Sequence, residues 1–369
     1  MGSLLKIFLC GDVMTGRGID QILPHSVDPT LHEYYVQDAR RYVQLALEAG
    51  AQIPEHPDSG YPWGEAVEIL NQQQPDCRII NLETAITTSD TYWESKGIHY
   101  RMHPENTDML NHADIDLCVL GNNHVLDWGY SGMQETLSVL QKAGIQFCGA
   151  GHNANQAGQP ALCDIGERQR LLVFSYGLPS AGVHPRWAAQ PDQGGVNFLR
   201  DLSDSAFQKV HKQIQQWREP DDLVIISIHW GKNWGYHIPE EQRTFAHRLI
   251  EESDVDIIHG HSSHHIKGVE VYQGRPVFYG CGDLLNDYEG IAGHDRYRGE
   301  LGLMYFPVLQ SETGELERLE MVPTHIRNFR IQGASPSDSE WIRTTLQQEC
   351  EQFNCRVTGT SEGTLLLHW

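Results

Sequence analysis

The chain has 369 residues, with 27 Lys and Arg against 49 Asp and Glu, and its formal net charge is −22. This balance argues against a protein that binds nucleic acid or anionic lipid through a basic face. No stretch approaches the ~18 consecutive apolar residues that a membrane span needs. The 9 Trp, 14 Tyr and 10 Phe favour a folded core over a disordered chain.

The N-terminus and the cysteines both predict a cytoplasmic protein. Residues 1–6 lead directly into the apolar run 7–10, which leaves no room for the three regions of a signal peptide. The eight cysteines are scattered, and none forms a Cys-x-x-Cys pair, so a zinc ribbon or a thioredoxin-like site is excluded. We expect buried free thiols in a reducing compartment.

Short apolar runs alternate with helix-like segments along most of the chain. Runs of four to seven residues rich in Val, Ile and Leu are typical of strands that are buried on both faces. The predicted strands are Leu4–Cys10, Cys77–Ile80, Leu117–Leu120, Leu171–Phe174, Leu223–Ile228, Val255–Ile258 and Pro276–Tyr279, and the predicted helices are 33–49, 64–73, 105–112, 130–143, 204–217 and 239–252. This alternation predicts an α/β fold with largely parallel strands.

The end of the chain has a different pattern, with a hairpin signal, one helix and two short strands. The predicted elements are the strands Leu301–Val308 and Leu316–Val322, the helix Glu340–Gln352, and the strands Cys355–Val357 and Thr364–His368. We therefore divide the chain into a catalytic domain, 1–310, and a small α+β extension, 311–369, that packs on it.

Chemically useful side chains follow the predicted strands. Asp12 follows the first strand and Glu83 the second, and either carboxylate could bind a metal or transfer a proton. After the third strand, Asn123 offers an amide oxygen and His124 an acid or base near neutral pH. Asp127 can orient the His124 ring. Because parallel strands end at one edge of a sheet, these groups are expected to share one site.

Histidines follow the later strands. His229 ends one apolar run, and the segment 259–265 holds four histidines, which include His261 and His264. Burying so many imidazoles as core filling would cost too much desolvation, and imidazole is a common metal ligand. Mixed oxygen and nitrogen ligands suit Mn, Fe or Zn, and two such ions ~3.5–4 Å apart could activate water for phosphoester hydrolysis.

Four further residues are predicted to bind substrate. Arg17 lies in the glycine-rich loop after the first strand and could clamp a carboxylate or a phosphate. Trp230 and Lys232 follow His229, and Asp283 lies on a later loop that could reach the same rim.

The ordered motifs over about residues 5–290 resemble those of the CapA family of capsule or poly-γ-glutamate synthesis proteins. They are Gly-Asp-Val-Met, Asn-Leu-Glu, Asn-Asn-His-x-x-Asp-x-Gly, His-Trp-Gly and Gly-His-x-x-His. That family is similar to the calcineurin-like metallophosphoesterases, so the resemblance implies a four-layer α/β/β/α sandwich with a catalytic imidazole at His124. The metal ligands that it implies are Asp12, Glu83, Asn123, His229, His261 and His264.

The chain departs from the phosphoesterase pattern at several positions. Met14 stands where a His is usual, and Glu83 stands where an Asp is usual. The segment 229–234 lacks the acid that the CapA family commonly has, and the segment 281–284 reads Cys-Gly-Asp-Leu. Because fewer ligands are present, the sequence leaves the number of bound divalent ions at two, one or none.

Three functions remain open from the sequence. The first is a metal-dependent hydrolase with His124 as general acid, and the second is a metal-free peptide Cα-epimerase. The third is a non-catalytic accessory protein that binds a γ-glutamyl polymer or a synthase partner. In the last case the basic residues near the motifs would hold carboxylates, namely Arg17, Arg101, Lys232 and Lys267. The expected ligand is a small molecule, a peptide or a γ-glutamyl chain.

Overall fold

The computed structural model describes residues 3–94, 96–165 and 169–369. Its strands are, in chain order, β1 (Leu4–Val13), β2 (Cys77–Leu82), β3 (Ala85–Ile86), β4 (Arg101–Met102), β5 (Leu117–Val119), β6 (Gln146–Cys148), β7 (Ala150–Gly151), β8 (Ala161–Asp164), β9 (Arg170–Gly177), β10 (Gly195–Val196), β11 (Leu223–His229), β12 (Ile257–His261), β13 (Val269–Tyr272), β14 (Arg275–Phe278), β15 (Asp283–Leu285), β16 (Leu301–Gln310), β17 (Leu316–Arg327), β18 (Arg330–Gly333), β19 (Arg356–Gly359) and β20 (Leu365–His368).

The α-helices lie mainly between these strands, as expected for an α/β fold. They are α1 (Gly18–Ile22), α2 (Arg40–Glu48), α3 (Ala66–Gln73), α4 (Asp108–His112), α5 (Gly129–Ala143), α6 (Ala154–Ala157), α7 (Asp204–Trp217), α8 (Glu240–Ser253) and α9 (Pro336–Cys350). Among the described residues, every helix is too short or too polar to cross a lipid bilayer.

The larger sheet follows the order β19-β20-β17-β16-β1-β2-β5-β6, with β15 beside β1 and β18 beside β17. The strands β1, β2, β5 and β6 run parallel, whereas β16 runs antiparallel to β1. The register places Asp12 opposite Asn81 on one side and opposite Asp283 on the other. Three polar residues therefore lie at one level of this sheet.

The smaller sheet follows the order β13-β14-β12-β11-β9-β8. Its central strands β9, β11, β12 and β14 are parallel. The register pairs His229 with His261 and Ser227 with His259. This sheet therefore brings the predicted histidines together at the carboxyl ends of two neighbouring strands.

Strand β1 is buried on both faces, and its side chains alternate between two hydrophobic clusters. Ile7 and Leu9 belong to the cluster that includes the strands of the smaller sheet. Phe8 and Cys10 belong to the cluster on the opposite face, which includes apolar residues of α3 and α5. The residues at the carboxyl end of β1 are consequently shielded from water on both sides.

The α/β class and all seven predicted strands of the main pattern are confirmed. The helix predicted over 33–49 is wrong at its start, because α2 begins only at Arg40. The preceding loop is held by a bridge between Thr30 and Asp38 and by the buried carboxylate of Glu33. Gly144 ends α5 with a φ of 77°, as its position after the helical pattern predicts.

The C-terminal segment extends the edge of the larger sheet. Strand β16 pairs with β1, and β17, β20 and β19 follow outward. Helix α9 begins at Pro336, four residues before its predicted start, because Ser335 caps it by accepting a hydrogen bond from the Asp338 amide. The division at residues 310 and 311 stays a prediction, and it falls between the paired strands β16 and β17.

Candidate functional site

The polar residues that follow the strands converge where the ends of the two sheets meet. One ligand atom from each of Asp12, His229 and His261 lies within 4.8 Å of the other two. The same holds for the group of Asp12, His264 and Asp283. Asp12 belongs to both groups, so it is the common member of a cluster built from both sheets.

Asn81 holds the two central carboxyl groups together. Its Nδ2 donates hydrogen bonds of 2.8 Å to Oδ1 of Asp12 and to Oε2 of Glu83. Its Oδ1 accepts a hydrogen bond of 2.9 Å from Asn122, so the amide is fixed in one orientation. This role of Asn81 was not predicted, although an Asn inside an apolar strand and two positions before an acid was a usable signal.

Both carboxyl groups are shifted towards the protonated form. Burial, together with repulsion from Asp283, raises the pKa of Asp12 to about 7. Burial and repulsion from Asp12 raise the pKa of Glu83 well above its usual range. Oδ2 of Asp12 is buried and has no hydrogen-bond partner among the described residues. A buried acceptor without a partner is costly, so this oxygen is suited to a cation or a proton.

His124 and Asp127 form a buried dyad beside Glu83. Nδ1 of His124 lies 2.6 Å from Oδ2 of Asp127, and that oxygen also accepts a 2.7 Å hydrogen bond from the Tyr100 amide. Lys96 contacts Oδ1 of Asp127, and its Nζ lies 2.9 Å from Nδ1 of His124. Burial and the Lys96 charge lower the pKa of His124 well below its usual value. Its Nε2 lies 3.8 Å from Oε1 of Glu83.

His229 and His261 face each other at the ends of β11 and β12. Their Nδ1 atoms are 2.8 Å apart. Nε2 of His229 lies 3.0 Å from Oδ1 of Asn123 and 3.7 Å from Oε1 of Glu83. Burial lowers the pKa of both imidazoles well below the usual value, so both rings are neutral at neutral pH.

His264 has a different environment. Its Nδ1 lies 2.9 Å from Oδ1 of Asp283, and its Nε2 lies 2.9 Å from Nδ2 of Asn233. Burial alone would lower the pKa of His264, but the carboxylates of Asp283 and Asp12 raise it above the usual value. Asp283 also accepts a 2.8 Å hydrogen bond from Asn286, so it is held as the partner of this ring.

Arg17 is placed beside the site, but its charge is neutralised within the protein. The guanidinium donates to both oxygens of Asp287, at 3.1 and 2.5 Å, and to Glu33 at 3.1 Å. It also stacks on the Tyr42 ring at 3.9 Å. Arg17 is only 3% exposed. The expected clamp on a substrate anion is therefore already occupied by two carboxylates of the chain itself.

Two other residues that were predicted to bind substrate do not join the cluster. The Trp230 indole lies in the hydrophobic core and donates a 3.1 Å hydrogen bond to the Tyr279 carbonyl. Lys232 is exposed and forms no ion pair with any described residue. Arg101 and Lys267 are buried, and Arg101 pairs with Asp90. The side chains of Trp230 and Lys232 lie outside the cluster because loop residues point in directions that spacing alone does not determine, and their role in substrate binding stays a prediction.

A cleft of about 610 Å³ opens beside His264. Its walls include Tyr35, Trp234, Tyr288 and His294, and the Trp234 and His294 rings stack with centroids 4.0 Å apart. Arg17 also lines it. His264 connects this cleft with the buried cluster, because it lines the cleft and is grouped with Asp12 and Asp283. Sequence analysis missed the aromatic walls, because these residues belong to loops without a recognisable motif.

The fold and the site together define an α/β protein that has a buried cluster of carboxylate, amide and imidazole groups at its strand ends. The family model described as "Bacterial capsule synthesis protein PGA_cap" matches residues 6–288. The chain therefore belongs to this bacterial capsule synthesis family, as the resemblance to CapA proteins indicated.

Curated relatives agree with this assignment. The chain is 43% identical, over 96% of its length and 93% of the relative's, to a Mycobacterium tuberculosis protein named "Probable polyglutamine synthesis accessory protein". It is 25% identical to the "PGA biosynthesis protein CapA" of Bacillus subtilis, over 67% of this chain and 60% of that protein. It is also 25% identical to the "Capsule biosynthesis protein CapA" of Bacillus anthracis, over 52% and 45%.

Proposed function

We propose that the protein is a metal-dependent hydrolase that cleaves a phosphoester or a related bond in the metabolism of poly-γ-glutamate, capsule polymer or peptide. The observation that carries this proposal is the buried Oδ2 of Asp12, which has no hydrogen-bond partner among the described residues and lies 4.0 Å from Nδ1 of His264. A buried carboxylate oxygen without a partner, grouped with the neutral imidazoles of His229 and His261, is an unfavourable arrangement for the protein alone and a favourable one around a divalent cation.

The donor set fits one or two ions of Mn, Fe or Zn. The residues that would hold them are Asp12, Glu83, Asn123, His229, His261 and His264, and Asp283 joins the second group in the structure. When bound, such an ion would polarise the scissile bond and would lower the pKa of water, so that a nucleophile would be available at neutral pH. Met14 would not contribute a ligand, because a thioether is a soft donor and its Sδ lies 3.6 Å from the Tyr288 hydroxyl.

His124 would move the proton in this reaction. Because its pKa is low, the ring is neutral in the resting protein, and its Nδ1–H donates a hydrogen bond to Asp127. Nε2 then presents a lone pair towards Glu83 and the cluster. In this position His124 takes a proton from the attacking water and donates it to the leaving group, so it ends each cycle as it began.

The cleft beside His264 would bind the substrate. Its aromatic walls suit the carbon skeleton of a peptide or a γ-glutamyl chain, and the reacting group would extend inward to the cluster. Since Arg17 is already paired with Asp287 and Glu33, a substrate anion would instead be compensated by the bound cation.

Metal analysis followed by an activity screen tests this proposal. The protein, purified without chelators, should contain a divalent ion and should hydrolyse a phosphomonoester, a phosphodiester or a γ-glutamyl amide. The variant Asp12→Asn should lose both the metal and the activity, and His124→Gln should keep the metal but lose most of the activity. No metal uptake from Mn, Fe or Zn by a folded protein would contradict the proposal.

A second candidate is favoured by the accessory role named for the Mycobacterium tuberculosis relative. In this function the chain would bind a γ-glutamyl polymer or a synthase without turnover. Polymer binding that persists in Asp12→Asn and His124→Gln, with no hydrolysis by the parent protein, would support this candidate over the hydrolase.

We also propose a cellular location and a layer arrangement for the protein. All eight cysteines lie within the described residues and are unpaired, which fits a reducing cytoplasm. The two sheets share one hydrophobic cluster, and α3 and α5 cover the outer face of the larger sheet. We therefore propose the four-layer α/β/β/α arrangement of the metallophosphoesterases for residues 1–310.

A further inference from the structure

Two buried residues outside the proposed ligand set, Ser227 and His259, form a hydrogen-bond chain that ends at His261. Nε2 of His259 lies 2.7 Å from the Cys10 carbonyl oxygen. Its Nδ1 lies 3.1 Å from Oγ of Ser227, and that Oγ lies 2.8 Å from Nε2 of His261. Ser227, His259 and His261 are 0% exposed, so water does not compete for these hydrogen bonds.

The Cys10 carbonyl fixes the direction of every hydrogen bond in this series, because a carbonyl oxygen can only accept a hydrogen bond. Nε2 of His259 must therefore carry a proton and donate it. His259 is buried and contacts no carboxylate of the described residues, so it is neutral, and its Nδ1 has a lone pair. The Ser227 hydroxyl donates its single proton to that lone pair. Ser227 can then only accept from His261, which places the proton of His261 on Nε2.

The consequence for His261 is that its Nδ1 is left with a lone pair. This nitrogen lies 2.8 Å from Nδ1 of His229, and His261 belongs to the group that includes Asp12 and His229. A hydrogen bond on one ring nitrogen is the usual means by which a protein fixes the tautomer of a metal-binding imidazole. The same ring would otherwise exchange between two tautomers, and only one of them presents a lone pair to the cluster.

We propose that Ser227 and His259 are positioning residues that hold His261 in its Nε2–H tautomer before any cation arrives. This inference rests on the proposed function only in taking a divalent cation as the ligand of Nδ1. The tautomer itself is a property of the metal-free protein. A fixed tautomer removes part of the ordering cost of binding. The hydrogen-bond relay formed by Ser227 and His259 should therefore contribute to metal affinity.

Nitrogen NMR of the metal-free protein tests the tautomer directly. In protein labelled with ¹⁵N-histidine, the His261 resonances, identified by their loss in His261→Gln, should show a protonated Nε2 and an unprotonated Nδ1. Ser227→Ala should give averaged shifts for the two nitrogens, whereas Ser227→Thr, which keeps the hydroxyl, should restore the parent pattern. A proton on Nδ1 of His261 in the parent protein would overturn the inference.

Metal titration tests the consequence. Ser227→Ala should weaken Mn²⁺ or Zn²⁺ binding by about 10–100-fold, the range found when partners of ligating histidines are removed. The matched control is Ser253→Ala, since the Ser253 hydroxyl is also buried and lies 2.8 Å from Nδ1 of a histidine, His211, in a different part of the chain. Equal affinities for Ser227→Ala and the parent would overturn the inference.

The two proposals fail in distinguishable ways. If the parent protein has the stated tautomer but binds neither Mn²⁺ nor Zn²⁺, the metal-dependent hydrolase is contradicted and the relay is upheld. If the parent binds metal but His261 carries its proton on Nδ1, the relay is contradicted and the metal site is upheld.

Discussion

Nδ1 of His124 lies 2.6 Å from Oδ2 of Asp127, and the two residues are three positions apart in a loop that is buried between strand β5 and helix α5. The carboxylate fixes the ring so that its other nitrogen faces Glu83. The same carboxylate also contacts Lys96, so the three residues His124, Asp127 and Lys96 form one hydrogen-bonded group. This arrangement sets the protonation state of the one histidine to which we assign proton transfer.

Replacing Lys96 tests the electrostatic part of this arrangement. Lys96 lowers the pKa of His124, so Lys96→Met should raise it. The change should appear as an upward shift in the His124 titration midpoint, followed by NMR. Lys142→Met, which removes an exposed lysine of α5, should leave the midpoint unchanged. A downward shift in Lys96→Met would contradict the assignment of Lys96 as a partner of this ring.

The pH dependence of stability tests the environment of Asp12. The pKa of Asp12 in the folded protein, about 7, lies above its ordinary value near ~3.9, so folding favours the protonated carboxyl. The protonated Asp12 carboxyl therefore stabilises the folded state fully below about pH 4, and this stabilisation is lost as the pH rises to about 7. In metal-free protein, the free energy of unfolding of Asp12→Asn should therefore fall less over this window than that of the parent.

Urea unfolding at several pH values, with a chelator present, measures this difference. Asp108→Asn, at an exposed position of α4, provides the control and should follow the parent curve. If the free energy of unfolding changes with pH in the same way for the parent and for Asp12→Asn, the pKa of Asp12 is not raised. Addition of a divalent cation should stabilise the parent and not Asp12→Asn, because ligand binding to the folded state raises stability.

Asn81 should be important for both stability and the site. Asn81→Ala removes the donor shared by Asp12 and Glu83 and leaves buried oxygen atoms without partners. Each loss of this kind costs about 1–3 kcal/mol. We expect a decrease of this order in the free energy of unfolding, together with weaker metal binding. Asn111→Ala, on the exposed surface of α4, should change neither quantity, and a fully stable Asn81→Ala would contradict the described network.

Arg17 should behave as a structural residue rather than as a substrate clamp. Arg17→Met would leave the buried carboxylates of Asp287 and Glu33 without their cation, which typically costs about 3–5 kcal/mol. The exposed pair of Arg40 and Asp38 offers a control, since its removal by Arg40→Met should cost no more than about 1 kcal/mol. Unchanged stability of Arg17→Met, combined with lost substrate binding, would instead restore the clamp that the sequence suggested.

The sequence predicts the elements of the fold better than the directions of loop side chains. The strand that has Asp12 near its end and the strand that ends at His229 are both mainly apolar, and strands of this kind are predictable because both of their faces are buried. Their polar ends meet because parallel strands finish at the same edge. This rule was sufficient to predict that Asp12 and His261 are neighbours.

The residues that sequence analysis missed depend on contacts between distant segments. Lys96 reaches Asp127 from an irregular loop, and Ser227 is one small polar residue inside an apolar strand. Trp230 follows His229 directly, yet its indole turns into the core because the Tyr279 carbonyl accepts its hydrogen bond there. Glu33 was expected to begin a helix, but it lies in the loop before α2, where its carboxylate pairs with Arg17. Periodicity and local motifs contain no information about such pairings.

The most direct test of the account is a crystal structure of the protein soaked with Mn²⁺ or Zn²⁺ and measured at the absorption edge of that metal. We expect an anomalous peak in contact with Oδ2 of Asp12 and with a nitrogen of His261 or His264, and loss of this peak in Asp12→Asn. A folded parent protein with no anomalous peak among Asp12, His229, His261 and His264 at saturating metal would contradict it.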